Sequence, residues 1–168
     1  MKKKHLISIM GPTASGKTTL AIELALHYNT EIISADSRQF YREMNIGTAK
    51  ASEIELNTVK HHFIDSHSVE DYFSPGDFER EATALLENLF QKHDVVIATG
   101  GSGLYIKALI EGLDEMPEAD LVLRESLNNR LQQEGLWALF SELKTLDPDY
   151  AAKVDSKNPQ RVVRALEV

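Results

Sequence analysis

The segment GPTASGKTT (11–19) follows the apolar run LISIM (6–10) directly and opens a helical stretch, GKTTLAIELALHY (16–28). No other feature of the chain narrows the choice of fold as much. Gly-x4-Gly-Lys-Ser/Thr between a strand and a helix makes a loop whose backbone amides turn inward and cradle phosphate. Gly11 and Gly16 let the backbone curl, the helix behind adds its positive end, and Lys17 brings a mobile charge. Thr18 offers a hydroxyl to Mg²⁺ or to a phosphate oxygen, while Thr13 and Ser15 line the loop.

Two further runs, EIISAD (31–36) and DVVIATG (94–100), are rich in β-branched residues and lack strict polar alternation. That pattern suits parallel strands covered on both faces. The helix between the first two strands is apolar on most sides and is expected to be sandwiched, giving a βαβ unit. SPGDFEREATALLENLF starts with Ser74 before Pro75 and an acid at Asp77, and its Phe78, Ala82, Leu85, Leu86 and Leu89 recur at helical spacing. The expected fold is therefore an α/β open parallel sheet of the phosphate-loop NTPase-like kind, spanning 1–116. After PEAD (117–120) only helices are expected, at 120–133, 136–145, 148–154 and 159–168, forming an all-helical insertion over 117–168. DPDYAAKV and NPQRVVRALEV each set Asp or Asn before Pro, a helix-start preference. The last helix still runs at Val168 without a cap, as expected of part of a longer protein.

Composition closes off other classes. Of the 168 residues, 42% are hydrophobic and 26% charged, as in a globular protein with a core. No run approaches the roughly 20 apolar residues that span a membrane. The absence of cysteine excludes disulfides and is compatible with a cytoplasmic home. A net charge of −8 argues against nucleic-acid binding over the whole surface, though not against a local patch. KVDSKNPQRVVR is such a patch, with Lys153, Lys157, Arg161 and Arg164 against Asp155 alone.

An ATPase or GTPase normally adds an acid at the end of a later strand to help hold Mg²⁺. In VVIATGGSG that place is taken by Thr99, Gly100 and Gly101. An acid instead ends the second strand: Asp36, in SADSRQFY, falls at the carboxyl edge of the sheet where such folds bind ligands. A phosphate cradle facing a carboxylate fits two chemistries. One is a small-molecule or nucleoside kinase, with Asp36 deprotonating an acceptor. The other transfers a different group away from a diphosphate held in the loop.

Several strings together, GPTASGKT, DSRQFYREMNIGTAKA, HHFID, ATGGSGLYIKALIEGL and NPQRVVRALEV, resemble the tRNA dimethylallyltransferases, also called tRNA isopentenyltransferases. The order and spacing match over essentially all of the chain. The resemblance implies transfer of a dimethylallyl group from its diphosphate to the exocyclic amine of the adenosine 3′ of the anticodon, with Mg²⁺ and without consumption of ATP. It implies that Gly11, Pro12, Thr13, Ala14, Ser15, Gly16, Lys17 and Thr18 hold the diphosphate, with Thr18 on the metal and Lys17 and Thr18 on the departing charge. Asp36 matches the aspartate that takes the amine's proton. Asp36, Ser37, Arg38 and Gln39 match a tRNA-contacting stretch, as do Arg124 and the run Gln160, Arg161, Val162, Val163 and Arg164. Ser102 stands where the family has threonine and keeps the hydroxyl. The partners implied are the tRNA anticodon stem-loop and dimethylallyl diphosphate, with no membrane, and a monomeric full-length enzyme. Family members run well past residue 168, so this length of chain alone is expected to be catalytically poor. A non-enzymatic tRNA-binding role is the third reading.

Other residues invite plainer expectations. His61 and His62 lack the companions of a metal site. Leu136, Trp137 and Phe140 read as helix packing, and Arg130 as part of a solvated face.

Overall fold

The computed structural model describes residues 3–114, 117 and 119–168. It divides into two compact units, Met1–Leu113 and Asp114–Val168. The boundary expected at 116/117 falls where residues 115, 116 and 118 lie outside the described residues.

The first unit holds strands β1 (His5–Met10), β2 (Ile32–Ser34), β3 (His61–His62) and β4 (Val95–Gly100), with helices α1 (Lys17–Tyr28), α2 (Glu53–Thr58), α3 (Pro75–Lys92) and α4 (Gly103–Glu111). All the strand pairs are parallel, in the order β1-β4-β2-β3. One expectation changes here. β1 and β2 were read as one βαβ unit, but β4 lies between them, pairing Ile7 with Ile97 on one side and Ile32 with Ile97 on the other. Local periodicity carries no information on strand order, which is settled by long-range pairing.

The pleat sorts the side chains. Ile33, Ala35, Val96 and Ala98 point into a core shared with Phe78, Ala82 and Leu89 of α3 and Ile106 and Leu109 of α4. Ile32 and Ile97 point the other way, onto Ala21 and Ala25 of α1. Phe40 anchors the larger core, fully buried among Phe63, Phe73, Phe78 and Tyr105 at centroid distances of 5.3–6.1 Å. The sandwiched α1 of the sequence reading is one-sided among the described residues: Leu20, Leu26 and Tyr28 are exposed, while Ala21 and Ala25 are buried against the sheet with Ile22 and Leu24 partly buried beside them.

Helix α3 begins as read. The Ser74 hydroxyl accepts from the Asp77 amide and Asp77 accepts from the Ser74 amide, with Pro75 in the first turn. Ser74→Ala should cost about 1 kcal/mol, measured as a fall in the urea midpoint at unchanged slope. Three elements of this unit, α2, β3 and α4, are not legible in the sequence reading, although α2 carries the same box between Ser52 and Glu55.

The second unit is helical: α5 (Leu121–Glu134), α6 (Leu136–Leu146), α7 (Pro148–Ala151) and α8 (Pro159–Glu167). Asp120, Asp147 and Asn158 cap three of these with side-chain oxygens. Leu127, Leu139, Phe140, Leu143, Ala151, Val162 and Val163 make its core. Phe140 packs as expected, whereas Trp137 is 72% exposed, so the packing expected of it is not met.

Candidate functional site

Every strand of the sheet runs the same way, so the segments that follow β1, β2 and β4 emerge at one edge. There the loop after β1, the turn after β2 and the end of β4 enclose a cleft of about 220 Å³. Thr13, Ala14, Ser15, Gly16, Lys17, Thr18, Asp36, Gln39, Thr48, Ala49, Thr99 and Gly100 line it.

The loop has the backbone its glycines were expected to permit. Gly16 takes φ 83° as N-cap of α1, and Ala14 takes φ 62°. Gly11 packs close to the Ser15 hydroxyl, which a Cβ at that position would approach to 3.1 Å. The Lys17 ammonium donates to the Pro12 carbonyl and so lies across the loop. Thr18, in the first turn of α1, puts its side chain on the cleft.

Asp36 is held by a chain of bonds. Its carboxylate Oδ1 accepts the Arg38 amide at 3.1 Å, and its carbonyl accepts the Gln39 amide at 3.0 Å. The next residue, Ser37, donates its amide to Ser102 Oγ at 3.0 Å, and Ser102 Oγ donates to Ser37 Oγ at 3.1 Å. Ser102 therefore joins the start of α4 to the Asp36 turn.

Of the three positions where a strand-end acid would stand, Thr99 lines the cleft and the two glycines have little space for one. A Cβ on Gly100 would sit 2.2 Å from the Ala35 carbonyl oxygen, so no side chain fits there. A Cβ on Gly101 would meet Asp36 Oδ2 at 3.3 Å, and an acid there would set like charges side by side. The carboxylate has moved one strand over.

Among the described residues no cluster of three or more His, Cys, Asp or Glu could hold a metal. A hydroxyl such as that of Thr18, which lines the cleft, suits Mg²⁺, an ion that keeps several waters and takes phosphate oxygens as further ligands. His61 and His62 form β3 away from this cleft. His62 Nε2 lies 2.6 Å from Glu31 Oε2, and burial lowers the pKa of His61, whose Nδ1 faces the Val59 carbonyl.

Four lining residues escaped the sequence reading as site residues: Thr48, Ala49, Thr99 and Gly100. The signal for the first two lay in the IGTAK string, quoted for the resemblance without a role.

The other residues expected to contact tRNA lie in the second unit. Gln160 and Arg161 are exposed on α8. Val162 and Val163 are 0% and 5% exposed in the helical core, so a ligand there meets their neighbours' side chains rather than theirs. Arg124 donates from Nε to Glu167 Oε2 at 2.8 Å, and Arg164 Nη1 to Glu167 Oε1 at 2.8 Å, the Glu167 side chain being 0% exposed. Of the basic patch, Lys153, Lys157 and Arg161 face solvent. Arg130, read as solvated, is paired with Glu134 and Glu142.

Parallel sheet, phosphate loop and carboxyl-edge cleft together define a phosphate-loop α/β protein whose carboxylate stands on the strand next to the usual one. The IPP transferase family model matches residues 39–168, and the chain belongs to that family. It is similar to the tRNA dimethylallyltransferase of Cytophaga hutchinsonii, 54% identical over 98% of this chain and 54% of that protein. The enzyme of the same name from Christiangramia forsetii is 52% identical over the same shares. Among solved structures, the tRNA isopentenylpyrophosphate transferase of Bacillus halodurans superposes with a TM-score of 0.64 at 39% identity, over 99% of this chain and 55% of that one. A eukaryotic dimethylallyltransferase acting on tRNA gives a TM-score of 0.79 at 26% identity, over 96% and 40%. The chain thus spans about half the length of the curated relatives it matches.

Proposed function

We propose that the protein to which this chain belongs transfers a dimethylallyl group from dimethylallyl diphosphate to the exocyclic amine of the adenosine next to the anticodon in tRNA. The observation that carries this reading is the pairing, in one cleft, of a phosphate cradle with Asp36, while Thr99, Gly100 and Gly101 stand where a strand-end acid would be. Relatives of the chain bear that activity in their names.

The chemistry follows from the residues. As the allylic C–O bond breaks, charge develops on the leaving diphosphate. The loop amides from Thr13 to Thr18, the α1 N-terminus and Lys17 would aim positive groups at it, and such preorganised donors are usually the largest catalytic term. The amine nitrogen forms the new C–N bond and gives its proton to the Asp36 carboxylate. Thr18 and the diphosphate would hold Mg²⁺, which when bound supplies further charge to the leaving group. Gln39 lines the cleft, and Ser37, Arg38 and Ser102, bonded around the Asp36 turn, would contact the acceptor RNA. Arg124, Gln160, Arg161 and Arg164 offer contacts to the tRNA backbone from the helical unit. An anticodon loop makes extrusion of the base inexpensive, because it is already single-stranded. No helix among the described residues is long and apolar enough to cross a membrane, and a monomeric cytoplasmic enzyme fits the reading.

The kinase alternative lacks its usual Mg²⁺-holding strand-end acid: Thr99, Gly100 and Gly101 stand there instead, and Gly100 has no room for a side chain. The two readings part on ATP. The full-length enzyme should transfer label from dimethylallyl diphosphate to tRNA with Mg²⁺ and no ATP. An absolute requirement for ATP, with phosphate appearing on an acceptor, would overturn the proposal.

A further inference from the structure

The cleft has a wall that belongs neither to the phosphate loop nor to the Asp36 turn: Thr48 and Ala49. Ala49 holds φ at 48°, in the left-handed region that alanine seldom occupies. Backbone of that kind persists only where its surroundings over-determine it, and it gathers at ligand sites.

Two side chains hold it from behind. The Gln39 amide donates to the Thr48 carbonyl at 3.1 Å and to the Ala49 carbonyl at 3.0 Å, and accepts from Ser34 Oγ at 3.1 Å. Lys50 does the rest. Its side chain is 9% exposed, and its ammonium donates to the Tyr41 carbonyl at 2.7 Å, Asn45 Oδ1 at 2.9 Å and Asp65 Oδ1 at 2.5 Å. Three donors meet three acceptors, which is the whole capacity of an ammonium. Thr48 Oγ1 closes the loop onto the Met44 carbonyl at 2.8 Å. The Asp65 amide in turn donates to the Gln39 carbonyl at 3.0 Å, so Gln39, Lys50 and Asp65 form one bracket.

Lys50 does not line the cleft, yet it is among the most enclosed cations of the chain. Sequestering an ammonium is costly, and the bonds it makes all serve to fix the segment 41–50. That segment meets the cleft only through Thr48 and Ala49. The wall is tied through Gln39 to the turn that carries Asp36, whereas a diphosphate is held by the loop at 11–18. It therefore borders the acceptor, and the exposed Ala49 methyl gives a small apolar surface of the kind a base can lie against.

We propose that Lys50 is a positioning residue: it holds Thr48 and Ala49 as the acceptor-side wall of the cleft, against which the adenine to be modified is oriented. This rests on the tRNA-prenylation reading. Misplacing a bound reactant by about 1 Å can cost on the order of 10²-fold, so a loosened wall should be visible in kinetics.

The test uses the full-length enzyme with Lys50→Met, and with Asp65→Asn as a milder variant that stands in should Lys50→Met fail to fold. We expect Lys50→Met to raise the KM for an anticodon stem-loop RNA about tenfold or more, while the Kd for inorganic diphosphate stays within about twofold of wild type. Amide hydrogen exchange should quicken across 44–50 and not across 11–18. An unchanged RNA KM, or a KM and diphosphate Kd that worsen together, would overturn the assignment. A wild-type enzyme that transfers no prenyl group to tRNA would sink the functional reading instead. The bracket would then stand or fall on the exchange at 44–50 alone.

Discussion

Asp36→Ala in the full-length enzyme should lower single-turnover prenyl transfer by about 10²–10⁴-fold, the range that a positioned general base contributes. Dimethylallyl diphosphate binding should stay nearly unchanged. Adenine's exocyclic amine is a weak nucleophile because its lone pair is delocalised into the ring, and it must lose a proton as the C–N bond forms. Asp36 reaches the cleft from the β2 turn, with Oδ1 fixed by the Arg38 amide and Oδ2 turned toward Gly101. The phosphate loop lies on a different segment and keeps its own bonds. Lys17→Ala should behave otherwise, weakening diphosphate binding and the chemical step together, since the lost charge acts on the leaving group in both states. Calorimetry with the diphosphate and single-turnover transfer separate the two. If Asp36→Ala abolished diphosphate binding and spared the chemical step, Asp36 would be a metal or phosphate ligand and not the base.

Gly100→Ala is expected to be the most damaging single methyl group in the α/β unit. The added Cβ would stand 2.2 Å from the Ala35 carbonyl oxygen and 3.1 Å from its Cα. The obstacle is backbone, with no flexible side chain to swing aside, so β2 and β4 must part by most of an ångström. Overpacking of this kind typically costs 1–3 kcal/mol, and a rigid neighbour places it at about 3 kcal/mol or more. Ala35 donates its amide to the Thr99 carbonyl at 2.8 Å and is followed directly by Asp36, so parting the strands also moves the carboxylate. The expected result is a large fall in urea midpoint together with loss of transfer. A fully stable Gly100→Ala protein with wild-type turnover would refute both the close approach and its role in placing Asp36. Gly101→Ala is the control: its Cβ would crowd the Asp36 Oδ2 at 3.3 Å and touch the Gly11 carbonyl oxygen at an ordinary 4.0 Å, so transfer should suffer with little loss of stability.

What was legible in the amino-acid order was local. The phosphate loop, the bounds of α1, α3, α5, α6 and α8 to within two residues, the Ser74, Asp147 and Asn158 caps of α3, α7 and α8, and the placing of Asp36 at a strand end all depend on neighbours fewer than about 20 positions apart. Such spacing is written in the chain, because helical periodicity and capping are properties of short windows. Strand β3 escaped notice because two residues, His61 and His62, are too few for any period to show. The order β1-β4-β2-β3 could not be read at all: it rests on pairs such as Ile7 with Ile97, and no window contains both.

The same distinction divides the candidate site. Sequence alone brought forward Lys17, Thr18 and Asp36, since each stands beside a turn or a helix start. Only the tertiary structure showed that Gly100 has no room for the acid a nucleotidase would place there, that Ser102 holds the Asp36 turn 65 residues away, and that Gln39 and Lys50 brace Thr48 and Ala49. It also set Val162 and Val163 in the helical core and paired Arg124 with Glu167, 43 positions on. Charge and hydrophobicity are carried by each residue. Which carbonyl, carboxylate or methyl group each one meets is decided by chain closure over tens of residues, and the strength of those contacts depends on the burial that closure creates.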